Sequence, residues 1–222
     1  MSERVIALIP AFNEAARVAD VVAGARGLVD EVVVIDDGSR DQTAAVAEAA
    51  GAMVLRHPVN RGKGAAILTA LEFFRQSPAE FALFLDADGQ HDPAEIPRFV
   101  TAARATGADI VIGTRMGQTA RMPLIRRCAN RWTSWVTSRL AGQGIPDSQC
   151  GYRLLRRAVL PDLNLATRHF ETETEMLIQA GRAGHQIVSI PIRTIYEPNR
   201  ASRIHPWRDT LRFFGLVKKY WP

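Results

Sequence analysis

Asp86 and Asp88 follow the apolar run Phe81-Ala82-Leu83-Phe84-Leu85 and lead into Gly89-Gln90-His91-Asp92-Pro93. Side chains two residues apart leave an extended chain on the same side, so both acids can face one ligand. Hard oxygen donors from one or two carboxylates are the usual way to hold Mg²⁺ or Mn²⁺ against a diphosphate. A diphosphate leaving group needs such a cation to offset the charge that develops as its bond breaks. Asp92-Pro93 has a plainer reading, the cap and first residue of a helix.

Polar residues also follow two earlier apolar runs. The first run enters Pro10-Ala11-Phe12-Asn13-Glu14, where Asn13 could cap a helix and Glu14 would sit in its first turn. The second enters Asp36-Asp37-Gly38-Ser39, which suits a tight turn and equally suits hydrogen bonds to a base or ribose. Asn60-Arg61-Gly62-Lys63-Gly64 superficially fits a phosphate-cradling loop. The Walker spacing fails at His57 and Gly64, however, and a dinucleotide fingerprint fails at Ile67. What remains is a basic, flexible turn at a helix start, a place where an anion is well held.

These segments need a scaffold that gathers strand ends. Residues 5–9, 32–35 and 81–85 read as strands, with weaker signals at 53–55 and 110–112. Between them, 14–28, 41–50, 64–75 and 94–106 read as helices. Strands alternating with helices of this length predict an α/β fold with a mostly parallel sheet flanked by helices, in one domain. Such sheets bind ligands at the carboxyl ends of their strands. The second half is less regular: helices are expected at 124–140 and 172–182 and a strand at 187–190. In 206–221, Trp207, Leu211, Phe214 and Trp221 fall roughly on one face among arginines and lysines.

The segments 10–14, 36–43, 60–64 and 86–93, in this order, closely resemble family 2 glycosyltransferases of the GT-A fold. Gly113-Thr114-Arg115 and the run from Asp147 to Arg153 are similar to the branch of dolichyl-phosphate mannosyltransferase and its polyprenyl-phosphate relatives. The resemblance covers about residues 4 to 205. It implies a Rossmann-like domain over 1–205 with a basic amphipathic tail at 206–222. It also implies a metal-dependent hexosyltransferase that inverts the anomeric carbon, with a nucleotide-diphosphate sugar such as GDP-mannose or a UDP-sugar as donor. The acceptor implied is a polyprenyl or dolichyl phosphate. Pro10, Ala11, Asn13, Glu14, Asp36 and Asp37 would line the donor pocket, joined by Lys63 and Ala87. Asp86 would contact the ribose or donor sugar, and Asp88 with Gln90 would bind Mg²⁺ or Mn²⁺. Arg115 would face the acceptor phosphate and reacting centre, Arg127 would be a second acceptor contact, and Arg200 with Arg203 would close over the diphosphate.

Two departures stand out. The chain has Arg200-Ala-Ser-Arg203 where relatives often carry Gly-x-Ser-Lys, and 170–175 is unusually acidic. Glu173 is taken as the catalytic acidic residue near the acceptor. A phosphate acceptor is already ionised and needs positioning rather than deprotonation. A soluble or glycan hydroxyl would need a base, for which Glu173 or Asp147 would serve. A non-catalytic nucleotide-sugar module need not keep both Asp86–Asp88 and Arg115. A nucleotidyltransferase would carry a Gly-rich N-terminal loop that is missing here.

The net charge of +5 favours an anionic partner, but the arginines match no nucleic-acid motif, and no nucleic acid is expected. Two cysteines without a CxxC pair favour reduced thiols and a cytoplasmic setting. No stretch approaches the roughly 20 apolar residues of a membrane span. The chain would therefore meet a lipid acceptor as a peripheral protein at the inner membrane face, through its tail or a membrane-protein partner. His57, His169, His185 and His205 read as surface or packing residues, His91 as a loop residue near the metal, and Cys150 as inert.

Overall fold

The apolar runs of the first half pair with one another because helices cover both faces of the sheet they form. The computed structural model of the protein describes residues 3–115, 124–193, 195 and 206–221. Strand β1 (Val5–Ala11) lies parallel to β2 (Glu31–Asp36) on one side and to β4 (Phe81–Phe84) on the other, and β3 (Met53–Arg56) extends the sheet beyond β2. β4 is buried along its whole length, as expected of a strand covered on both faces. The remaining strands are β5 (Ile110–Thr114), β6 (Arg153–Arg156) and β7 (Ile187–Pro191). Among the described residues, seven strands run in the order β3-β2-β1-β4-β6-β5-β7, all parallel except β6, which is antiparallel to β4 and β5. β6 escapes sequence reading because its four residues are too short to show a period and an arginine stands at each end.

Strand order reverses between β1 and β4. The carboxyl ends of these two strands therefore flank the crevice in which open α/β sheets bind ligands.

The α-helices among the described residues are α1 (Val18–Ala25), α2 (Thr43–Ala49), α3 (Lys63–Gln76), α4 (Ile96–Thr106), α5 (Leu124–Ala141), α6 (Glu171–Arg182) and α7 (Pro206–Tyr220). α1 is shorter than the expected 14–28. Asn13 does not cap it but takes a left-handed φ of 50°, and the Glu14 carbonyl accepts from the Arg17 and Val18 N–H groups in a turn. Asp92 caps as expected, accepting from the Ala94 N–H at 3.0 Å at the start of a short 3-10 turn before α4.

The main core lies between the sheet and its helices. A second, smaller core joins Val136 and Leu140 of α5, Ile178 of α6, and Phe213 and Leu216 of α7. The final segment thus packs on the domain, and it does so with a second face. Leu211, Phe214 and Trp221 point outward, while Phe213 and Leu216 are buried. The segment carries two apolar stripes, and only the packing against α5 and α6 chooses between them. The Trp207 side chain lies outside the described residues. Among the described residues, no helix is long and apolar enough to cross a membrane.

Candidate functional site

The loops after β1 and β2 are laced together. The Asn13 N–H donates to Ser39 Oγ at 2.8 Å, and Asn13 Oδ1 accepts from the Arg40 N–H at 2.9 Å. The Glu14 N–H donates to Thr43 Oγ1 at 2.8 Å. Pro10 and Ala11 pair with Ile35 and Asp36 across the two strand ends.

Asp36 is fully buried, and its Oδ1 accepts from the Ser39 N–H at 3.0 Å. Its Oδ2 receives no hydrogen bond; Arg56 Nε lies 3.2 Å away but is not aligned to donate. A buried carboxylate oxygen without a donor is costly, and an N–H or O–H of a bound base or ribose would satisfy it. Asp37, by contrast, is used internally. It accepts from the Arg61 and Gly62 N–H groups at 2.9 and 2.8 Å and from His57 Nδ1 at 2.7 Å. His57 Nε2 reaches Thr69 Oγ1 at 2.9 Å. Asp37 thus stands behind the pocket and fixes the loop that delivers Lys63, and His57 takes the packing rather than the surface alternative, as a buried connector. Gly38 is needed where the loops meet: it has φ 70°, and a Cβ there would lie 2.4 Å from the Val59 carbonyl carbon.

A chain of charges runs through the centre. Lys63 Nζ sits 2.7 Å from Asp86 Oδ1 and 3.2 Å from Glu173 Oε2. Glu173 Oε1 lies 3.3 Å from Arg153 Nη2, and Arg153 donates to the Glu173 and Cys150 carbonyls at 3.0 and 2.6 Å. Burial opposes ionisation of Asp86, but the Lys63 ammonium, with Arg153, more than offsets it and holds the carboxyl well below the usual range. Burial likewise opposes charge on Lys63, and Asp86 and Glu173 overcome it, raising its pKa. Two glycines permit this closeness. A Cβ at Gly151 would lie 2.7 Å from Asp86 Oδ2, and one at Gly64 would lie 2.1 Å from Thr172 Oγ1.

Beyond Asp86 and the buried Ala87 the chain turns at Gly89, with φ 74°, and Asp88 Oδ1 accepts from the Gln90 N–H at 2.9 Å. The His91 ring stacks on Tyr152 with centroids 5.0 Å apart, and its Nδ1 accepts from the Asp86 N–H at 3.2 Å. Burial lowers the His91 pKa despite nearby Asp86 and Asp88, which matches a neutral ring accepting at Nδ1. The Ile195 N–H donates to the Gln90 carbonyl at 3.1 Å, so that residue touches the same turn. Among the described residues no group of three His, Cys, Asp or Glu could hold a metal ion alone. The Asp88 carboxylate and Gln90 amide are hard oxygen donors. They fit a small divalent cation that completes its shell with diphosphate and water.

On the other side of the crevice, Arg115 is clamped by the buried Asp147. Nε donates to Oδ2 at 2.8 Å, Nη2 to Oδ1 at 2.9 Å, and the Arg115 N–H to Oδ2 at 3.1 Å. Asp147 is followed by Ser148, whose N–H donates to Ser134 Oγ of α5 at 3.0 Å. Burial pushes the Cys150 thiol up to about 12, so it is no nucleophile at neutral pH. Arg127 lies in the N-terminal part of α5, and Arg200 and Arg203 lie outside the described residues.

Strand ends 10–14, 36–43 and 86–91, the loop 60–64 and the Asp147–Arg153 strap therefore converge, and all fall inside one matched stretch: the family described as Glycosyl transferase family 2 matches residues 6–163. The chain belongs to glycosyl transferase family 2. It is 30% identical over 220 residues to the UDP-N-acetylglucosamine–dolichyl-phosphate N-acetylglucosaminyltransferase of Methanococcus voltae, covering 88% of each chain. It is 31% identical to the polyprenol monophosphomannose synthase of Mycolicibacterium smegmatis, over 86% of this chain and 77% of that one. Glucosyl-3-phosphoglycerate synthase from Mycobacterium tuberculosis, solved with Mn²⁺, UDP-glucose and phosphoglyceric acid, shares the fold. Its TM-score is 0.70 at 23% identity, over 98% of this chain and 78% of that one. The fold of this family 2 transferase is therefore GT-A.

Three participants were not legible as such in the sequence of this transferase. His57 gave no signal. Asp147 entered only as a candidate base for a hydroxyl acceptor, whereas it holds Arg115. Arg153 showed only as an arginine set between Tyr152 and Leu154, a placement that a charged residue accepts only with buried partners.

Proposed function

We propose that this family 2 transferase moves a hexosyl group from a nucleotide-diphosphate sugar to a polyprenyl phosphate. The transfer is a single in-line displacement with inversion. One observation carries this reading: both acidic candidates for a general base are already committed. Asp147 is bonded through both oxygens to Arg115, and Glu173 lies between Lys63 and Arg153. A hydroxyl acceptor would need one of them as a base. A phosphate monoester arrives ionised and needs only a fixed cation to place it, which a clamped Arg115 supplies. The relatives named for dolichyl-phosphate and polyprenol substrates support the same acceptor class.

In the step itself, an acceptor phosphate oxygen attacks the anomeric carbon while the bond from that carbon to the diphosphate breaks. The electron pair leaves with the nucleoside diphosphate, and no proton moves. Asp36 and its neighbours bind the nucleoside, Asp86 orients the donor sugar, and Arg115 with Arg127 positions the acceptor. Asp88 and Gln90 would hold Mg²⁺ or Mn²⁺, which offsets charge on the leaving diphosphate. Arg200 and Arg203 would bind that diphosphate. The enzyme works at the cytoplasmic membrane face, where its lipid acceptor is found.

Calorimetry with UDP- and GDP-sugars, with and without Mn²⁺, tests the donor half. One nucleotide should bind tightly with metal and lose at least about tenfold in affinity in Asp88→Ala. Transfer of labelled sugar to polyprenyl phosphate, but not to hydroxyl glycans, tests the acceptor half. Full turnover by Asp88→Ala would remove the metal role, and transfer only to hydroxyls would remove the acceptor.

A further inference from the structure

The second core has an apolar counterpart on the surface. α7 buries Phe213 and Leu216, yet Leu211, Phe214 and Trp221 on its other side are 71%, 50% and 53% exposed. α5 buries Val136 and Leu140, yet leaves Trp132 and Trp135 43% and 61% exposed. The two outward sets touch, since the Trp132 ring lies 5.5 Å from the Phe214 ring. Contiguous apolar patches of this kind mark interaction sites, whereas scattered single residues do not.

The charge around this patch points to its occupant. Arg131, Arg139, Arg208 and Lys218 are exposed on the same two helices. α5 carries no acid, and the sole acid of α7, Asp209, is largely covered and paired with Arg212 at 3.2 Å. A second copy of the chain would bring two basic rims together, whereas an anionic bilayer would neutralise them. Tryptophan prefers headgroup depth, and helices with one apolar and one basic face lie in that plane. Each surface cation adds attraction to anionic lipid.

We propose that the outward faces of α5 and α7 form one docking surface for an anionic lipid bilayer. Two contacts fix its aim. Glu175 of α6 holds Lys219 at 2.8 Å and the Tyr220 hydroxyl at 3.0 Å, which keeps the inner side of α7 against the domain and its apolar stripe outward. Ser134, the neighbour of Trp135, is bonded to Ser148 beside Asp147, the residue that clamps Arg115. The surface thus adjoins the strap that positions Arg115. The inference deepens the proposed acceptor and rests on that reading for its purpose, while the docking itself needs no acceptor.

The test is flotation of the full chain with phosphatidylcholine vesicles, with and without phosphatidylglycerol, and with no polyprenyl phosphate present. The wild type should float with the anionic vesicles and stay in solution with phosphatidylcholine alone. The triple variant Trp135→Ser/Leu211→Ser/Phe214→Ser, altered only at exposed positions, should partition about tenfold less or weaker still. Its donor affinity by calorimetry should match the wild type. Brominated lipids should quench wild-type tryptophan fluorescence, a reading independent of how the variant folds. Absence of wild-type flotation or quenching would overturn the proposal, as would undiminished flotation of a folded triple variant. Sedimentation showing a wild-type dimer that the triple variant dissolves would assign the face to a second copy instead. No sugar transfer is read, so failure of the acceptor reading leaves this result standing on its own.

Discussion

Arg115 shows how one side chain becomes a tool. A guanidinium presents a planar fork, and the buried Asp147 grips one edge of it through two parallel bonds, fixing its plane. Lysine at this position keeps the charge but cannot be held in that way. Arg115→Lys should therefore lower kcat/KM for the acceptor by roughly 10- to 100-fold while donor affinity stays within about twofold. Steady-state kinetics beside donor calorimetry separates the two. An equal loss on the donor side would show that Arg115 serves the diphosphate instead.

Among the elements, the meeting of α3 with α6 controls the centre of the site. Lys63 opens α3 and Glu173 lies in the first turn of α6, and their side chains meet because Gly64 lets the two helix starts approach. Helix propensity alone would make Gly64→Ala stabilising by about 1 kcal/mol. The added Cβ would lie 2.1 Å from Thr172 Oγ1 and 2.3 Å from the Arg168 carbonyl carbon, and the second of these is backbone. Overpacking should win, with a net loss of about 1–3 kcal/mol in denaturant unfolding and a fall in transfer activity as Lys63 and Glu173 separate. A variant as stable and as active as the wild type would mean that the approach is not tight.

For the whole molecule, one buried carboxylate joins the second core in attaching α7. Glu175 accepts from the Ala166 and Thr167 N–H groups, the Thr167 hydroxyl, Lys219 and Tyr220. Burial disfavours its charge, but Lys219 and these hydrogen bonds prevail and lower its pKa. A depressed carboxyl pKa stabilises the fold above the unfolded value of about 4.3, and that contribution is lost as pH falls through the folded value. Glu175→Gln should therefore cost about 2 kcal/mol in unfolding at pH 7. The difference from wild type should narrow as pH drops below about 4. Hydrogen exchange over 206–221 should rise in the variant at neutral pH, since α7 would be less firmly held. A constant difference at every pH would exclude the charge of Glu175 as the cause.

The sequence by itself determined the parallel half of the sheet, because runs such as 81–85 are apolar enough to be buried on both faces. It also determined the acids and amides at those strand ends, since a charged residue directly after a buried strand is conspicuous. The Asp86-x-Asp88 spacing was legible for the same local reason, the loop at 60–64 as a basic turn at a helix start, and Arg115 only through the family resemblance. Tertiary structure alone decided which groups are partners. Asp147 could be a base or a clamp until its distance to Arg115 was known, and Asp37 could face a ligand until the 57–62 loop was seen to surround it. Only packing could choose between the two apolar stripes of α7, since 3.6-residue periodicity is satisfied by either. Pairings between residues far apart in the chain leave no local pattern, so His57 with Asp37 and Glu173 with Arg153 emerge only from the fold.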